Sequence, residues 1–253
     1  MVERQQKVVL IVQARMGSVR LPEKTMMPLA GKPMLSRMIE RLRRCRAVDH
    51  IVIATTELPG DDVVADLARS ENMSVFRGSE NDLVDRYYQA ALTFEADVVV
   101  RIPADNPVPE PSEIDRIIGY HLASDNAYSS NLAQVLGNGY PDGIGAEVME
   151  FSALKEIWQR VSDRYRREHP HLSFYDYEKG QAVAPDIFKV GTVACPPDFS
   201  RPDIVLDVNT AAQYRFLDAL YCSLYPHNND FHITDIIAWC DRRRLSGEGG
   251  HDG

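Results

Sequence analysis

The chain has 253 residues, with 28 Lys and Arg against 37 Asp and Glu and a formal net charge of -9. A hydrophobic share of 44 % beside 26 % charged residues excludes wholesale disorder, and this length suffices for one large α/β domain with a well-buried core. The charge is uneven: residues 1–50 hold 11 Lys/Arg and 4 Asp/Glu, a local +7, and residues 51–253 a local -16, so the basic end could serve nucleic acid or a small polyanion.

In chain order, Val8–Ala14 reads as a buried strand, and Met34–Cys45 as a helix with Met34, Leu35, Met38, Ile39 and Leu42 on one face. Ile51–Ala54 reads as a strand, Asp61–Ser70 as a helix with an acidic first turn, and Ser74–Phe76 as a short strand. Asp82–Phe94 follows as a helix, Asp97–Ile102 as a Val/Ile-rich strand and Pro111–Leu122 as a helix. Val and Ile runs separated by helices point to a mostly parallel sheet covered on both faces. Further on, Tyr128–Asn131 and Glu147–Met149 read as strands and Phe151–Arg164 as a helix. Arg166–Ala184 has no clear period and is dense in His and Tyr. Phe188–Ala194 and Ile204–Val208 read as strands, and Thr210–Tyr225 and Ile233–Arg243 as closing helices. The expectation is a single domain over 1–245, with an inserted small lobe near 139–187 and a frayed tail over 246–253.

No apolar run reaches the roughly 18–20 residues of a membrane span, and Val8–Val12 is too short for a signal-peptide core with no small-residue cleavage site after it. The four cysteines, Cys45, Cys195, Cys222 and Cys240, form no CxxC, which points to free buried thiols and a cytoplasmic location. Nucleic acid is disfavoured as a partner, because residues 1–50 hold no aromatic side chain on which a base could stack.

The loop after the first strand carries the chemistry. Gln13-Ala-Arg-Met-Gly-Ser-Val-Arg-Leu-Pro-Glu-Lys-Thr, ending in Gly31-Lys32-Pro33, leaves a buried strand and enters a helix. In open α/β sheets ligands sit beyond the carboxyl ends of the strands. Arg15, Arg20 and Lys24 place three cations there, with Gly17 allowing close backbone approach and Ser18 a hydroxyl, a set suited to a triphosphate. There is no GxxxxGK[ST], and no GxGxxG after a strand, so neither a P-loop nor a dinucleotide fingerprint is present. Arg37, Arg41, Arg43, Arg44 and Arg46 are read as a solvated helix face, and Lys32 as a helper of the cradle.

Gln13-Ala-Arg-Met-Gly-Ser-x-Arg-Leu-Pro-x-Lys, followed by Gly31-Lys32-Pro33-Met34, resembles the opening of the CMP-sugar synthetases, and above all the spore-coat polysaccharide cytidylyltransferase-like branch related to CMP-KDO and CMP-sialate synthetases. The resemblance continues through Ile51-Val-Ile-Ala-Thr-Thr, Val75-Phe-Arg-Gly-Ser-Glu, Asp85-Arg-Tyr-Tyr-Gln-Ala-Ala, Val99-Val-Arg-Ile-x-x-Asp105-x-Pro107, Pro141-Asp-Gly, Glu147-Val and Arg167-Glu-His, and covers roughly residues 8–220. It implies a nucleotide-diphospho-sugar transferase-like, Rossmann-like fold, a homodimer, and Mg²⁺-dependent transfer of CMP from CTP to a small acceptor with release of pyrophosphate. It further implies that Arg15, Lys24 and Asp105 are catalytic, that Ala14, Arg15, Gly17, Ser18, Arg20, Lys24, Arg77, Ser79, Asp82 and Arg86 bind the nucleotide, and that Asp105, Asp207 and Asn209 hold the metal. Asp142, Glu147, Arg167, Glu168 and His169 are the set for the acceptor, a sugar acid, phosphate or phosphonate.

The chain departs from the family's pattern in places. Asn209 stands where sialate-type relatives have a second Asp, and equally suits a helix N-cap. Pro103-Ala104 replaces Thr-Gly before the metal Asp, Gly145 replaces an Asp after Pro-Asp-Gly, and Pro170-His171-Leu172 replaces Val-Thr-Pro. Two other readings therefore stay open: a nucleotidyltransferase of the same fold using another nucleotide, and a non-catalytic nucleotide-binding member.

Overall fold

The computed structural model describes residues 6–18 and 20–245; the tail expected over 246–253 lies outside them. Seven strands form the central sheet: β1 (Val8–Gln13), β2 (His50–Thr56), β3 (Ser74–Gly78), β4 (Val98–Pro103), β5 (Tyr128–Ser130), β6 (Glu147–Glu150) and β7 (Val190–Gly191). Their order is β7-β5-β6-β4-β1-β2-β3, and β6 alone runs against the other six. The chain goes outward from β1 to β2 and β3, then crosses back to place β4 on the other side of β1. β1 and β4 thus flank the point where the strand order reverses, which is where open α/β sheets hold their ligands.

Alternation along the strands supplies both faces of the core. Leu10, Val12, Val98, Val100 and Ile102 pack against α1 (Met34–Leu42), α2 (Asp62–Ser70) and α4 (Pro111–Leu122). Val9, Ile11, Val99, Tyr128 and Met149 pack against α3 (Leu83–Thr93) and α5 (Phe151–Arg160). The short α6 (Arg164–Glu168) follows, and α7 (Ala211–Leu224) and α8 (Ile233–Leu245) close a third apolar cluster with Leu29, Tyr140, Ile144, Ile204, Leu206 and Val208. No helix among the described residues is long and apolar enough to cross a membrane.

Three expectations need correction. Ile204–Val208 is extended but forms no strand; its only ladder contact is a single bridge between Val205 and Asp142. Within the 139–187 segment, β6 joins the central sheet and α5 packs on one of its faces. Arg37 and Arg41 are not a solvated face: each is 3 % exposed. Arg37 donates to the carbonyls of Leu29 and Ala30 and lies over the Tyr225 ring, and Arg41 donates to the carbonyls of Pro109 and Phe231 beside Glu110. Buried guanidinium groups of this kind need such partners. The cysteines are free, and Cys222 is exposed where a buried thiol was expected.

Candidate active site

The loop that leaves β1 is fastened at several points. The Ala14 amide donates to Ala54 O at 3.1 Å, and the Met16 amide to the buried Asp61 carboxylate at 2.6 Å. Thr25 Oγ1 donates to Arg15 O at 3.2 Å. These bonds bring Lys24 back across the carboxyl ends of the strands. Its ammonium donates to Asp105 Oδ2 at 3.0 Å and to Val208 O at 2.8 Å, while the Val208 amide donates to Asp105 O at 2.8 Å. The segments following β1 and β4 and preceding α7 therefore meet at one ion pair.

Carboxylates gather around it. Burial first, and then the charges of Asp142 and Asp105, push the Asp207 carboxyl up to about 6, with Lys24 and Arg20 opposing. Burial likewise raises Asp142, the Gly143 amide opposing and Asp105 adding to the rise. The Asp142 amide donates to Ile204 O at 3.0 Å and its carbonyl accepts from Leu206 N at 3.0 Å. That crossing is tight: a Cβ on Gly143, whose φ is +89°, would stand 2.8 Å from the Leu206 carbonyl carbon. Asn209 does not cap α7. Thr210 does, in a capping box with Gln213, and the Asn209 amide group donates to the Asp207 carboxylate, leaving Asn209 Oδ1 buried without a partner.

A cavity of about 240 Å³ is lined by Gln13 at the end of β1, by Ala14 and Arg15 of the loop that leaves it, and by Glu80, Leu83, Arg86, Glu168 and His169. Arg15 stands at its rim, 43 % exposed and 4.0 Å from Glu80. Arg86 is buried and donates to Ser79 O at 2.9 Å and Glu80 O at 3.2 Å. Below Gln13 lies the pair Arg101–Glu147, bonded at 2.5 Å inside the sheet. Burial, aided by the Arg101 charge and opposed by Glu168, lowers the pKa of His169 below its usual value and keeps the ring neutral at pH 7.

Residues 9–189 match the cytidylyltransferase family model. The chain belongs to the cytidylyltransferase family. It is 31 % identical over 222 residues to a spore coat polysaccharide biosynthesis protein of Bacillus subtilis, covering 85 % of this chain and 86 % of the relative. An uncharacterized protein of Methanocaldococcus jannaschii is 34 % identical over 238 residues, 93 % of this chain and 91 % of its own. The solved structure of a cytidylyltransferase from Leptospira borgpetersenii superposes with a TM-score of 0.84 at 27 % identity, over 98 % of this chain and all of that one. The chain is accordingly a nucleotidyltransferase with the mostly parallel, Rossmann-type sheet of that family.

In this cytidylyltransferase the expected site residues divide by position. Ala14, Arg15, Arg86, Glu168 and His169 share the cavity, while Lys24, Asp105, Asp142, Asp207 and Asn209 share the carboxylate cluster, with Arg20 near enough to act on Asp207. Gly17 is exposed and Ser18 partly exposed on the loop after β1, where the Ser18 amide donates to Met16 O at 2.8 Å. Others hold the scaffold. Arg77 donates to the carbonyls of Thr56 and Leu58 and to Asp62, tying β3 to the turn before α2. Ser79 and Asp82 cap the start of α3. Asp82 pairs with Arg167 at 2.6 Å and not with Arg86, and Arg167 also donates to Trp158 O and Val161 O, so it fixes α6 onto α3. Glu147 is buried beneath the cavity. Lys32 pairs with Glu40 at 2.7 Å, away from the cradle. The sequence reading missed Asp61, which clasps Met16, and the Gln13–Arg101 contact; a Gln before the Ala-Arg pair and an Arg inside an apolar strand were their signals. At Gly145, where the resemblance led to the expectation of an Asp, a Cβ would lie 2.5 Å from Asn131 O, so the backbone there leaves room only for glycine.

Proposed function

We propose that the protein is a Mg²⁺-dependent cytidylyltransferase that transfers CMP from CTP to a small acidic acceptor, such as a sugar acid, phosphate or phosphonate, for surface polysaccharide synthesis. The observation that carries this reading is the Lys24–Asp105 pair at the strand-order reversal, with Asp142, Asp207 and Arg20 around it and the Arg15 cavity lined by the same loop. An acceptor oxygen attacks the α-phosphorus, the new P–O bond forms and the bond to pyrophosphate breaks. The protein's share of that work is charge neutralisation and alignment. Arg15, Arg20 and Lys24 neutralise the triphosphate. Tethering of the loop by Asp61 and Thr25 fixes where those charges stand.

The cluster fits a divalent cation. Burial first, and then the charges of Asp142 and Asp105, raise Asp207, and Asn209 Oδ1 is a buried oxygen lacking a donor. Mg²⁺ takes one or two carboxylates plus phosphate oxygens and water, so a sparse carboxylate supply is adequate. Asp105, Asp207 and Asn209 would hold the ion, which when bound offsets charge on the phosphates. The exposed Tyr165 and Ile187, at 63 % and 57 %, support a homodimer contact over the segment near 139–187, and the free cysteines support a cytoplasmic location. Calorimetry of CTP with Mg²⁺, followed by pyrophosphate release with a panel of sugar acids, phosphates and phosphonates, tests the reading. No CTP binding in the presence of Mg²⁺ would end it.

A further inference from the structure

The floor of the cavity beside Arg15 is chemically directional. Gln13 ends β1 and lines that cavity. Its Oε1 accepts from Arg101 Nε at 3.1 Å and from the Tyr87 hydroxyl at 3.1 Å. A guanidinium N–H can only donate, so the Gln13 amide has one orientation: its oxygen is held by Arg101 and Tyr87, and its NH₂ is the end left to serve the cavity that Gln13 lines. The holders do not move readily: Arg101 is 5 % exposed and bonded to Glu147, and Tyr87 is 1 % exposed. The other lining groups differ in kind. Arg86 donates to two carbonyls, Arg15 stands at the rim, and Glu80 and Glu168 are acceptors. Gln13 is the neutral, fixed donor at the floor.

We propose that Gln13 is the residue that distinguishes cytosine from uracil, its Nε2 donating to N3 of the base. This rests on the cytidylyltransferase reading of the site. N3 of cytosine is an acceptor, whereas uracil carries N3–H, which would oppose the Gln13 N–H groups and leave two donors unpaired. A volume of about 240 Å³ lies below the range of about 300–1,000 Å³ typical of drug-sized sites and suits a single ring with part of its sugar. The Glu80 and Glu168 carboxylates can accept from the exocyclic amino group that uracil lacks.

The test is calorimetric binding of CTP, UTP and 3-deaza-CTP with Mg²⁺ to the wild type, and of CTP and UTP to Gln13→Glu. Glutamate keeps an acceptor for Arg101 and Tyr87 and replaces the N–H groups with an oxygen. The wild type should bind 3-deaza-CTP at least about tenfold more weakly than CTP, and Gln13→Glu should lower the CTP-over-UTP preference at least about tenfold. Equal binding of CTP and 3-deaza-CTP by the wild type, or an unchanged preference in folded Gln13→Glu, overturns the assignment. The deaza comparison needs no variant to fold. A wild type that binds no CTP at all refutes the function instead, a distinct outcome.

Discussion

Under the proposed function Lys24 has two roles that a substitution can separate. Its side chain is 12 % exposed and its ammonium bridges Asp105 and the Val208 carbonyl, so it offsets charge in a crowd that includes Asp142 and Asp207. In the proposed reaction the same cation would meet the triphosphate. Lys24→Met should therefore lower stability by about 1–2 kcal/mol, a buried-pair cost discounted for the partial exposure of Asp105, and lower kcat by about 10²–10³. Asp105→Asn removes a negative charge from the crowd. It should lose activity by a similar factor while keeping stability within about 0.5 kcal/mol of the wild type. Urea denaturation and pyrophosphate release, read side by side, check both. If Lys24→Met kept its activity and lost only stability, the lysine would be a structural pin.

At the scale of elements, the sheet was legible because each face of each strand is covered, which writes Val and Ile runs into the sequence. Coverage from distant segments was not legible. α1 shows one apolar face to a reader, yet eight of its nine residues are buried, because α7 and α8, nearly two hundred residues on, cover the other side. Arg37 and Arg41 thus lie inside with backbone carbonyls as partners. Arg41→Met should cost about 3–5 kcal/mol by leaving Glu110 without its guanidinium, whereas Arg43→Ala on the exposed side should cost about 0.5 kcal/mol or less; denaturation midpoints decide. Ile204–Val208 misled for the same reason: its alternation serves the third apolar cluster and not the sheet. In the irregular segment that follows α6, burial, then the Arg101 and His169 charges, hold the His171 ring well below its usual pKa. The unfolded chain binds a proton there below about pH 6.5 and the folded chain does not, so stability is full above that pH and falls as the pH drops. His171→Gln should make the fall between pH 6.5 and 5 shallower, by at most about 1.4 kcal/mol per pH unit. An unchanged slope in urea titrations would show that His171 is not the group responsible.

For the whole molecule, the cations behind the +7 of residues 1–50 separate by destination. Arg15, Arg20 and Lys24 face the site, Arg37 and Arg41 fasten α1 within the fold, and Arg43 and Arg46 are exposed. The cradle cations meet carboxylates drawn from residues 105–207, so nucleotide and metal together would join the loop after β1, the turn after β4 and the approach to α7. Such a ligand binds the folded chain alone, and at one hundred times its Kd stabilises it by about 2.7 kcal/mol. For a chain of this size that corresponds to a rise in Tm of roughly 5–10 °C. CTP with Mg²⁺ should produce that shift, CTP with EDTA only a small part of it, and Asp105→Ala none of the metal-dependent part. The shift should also shrink with added salt, because Arg15 and Arg20 are exposed and their attraction to phosphate is screened over about 10 Å at 0.1 M. Equal shifts with Mg²⁺ and with EDTA would remove the metal from the reading, and would leave Asn209 and Asp207 as a pair that only anchors the start of α7.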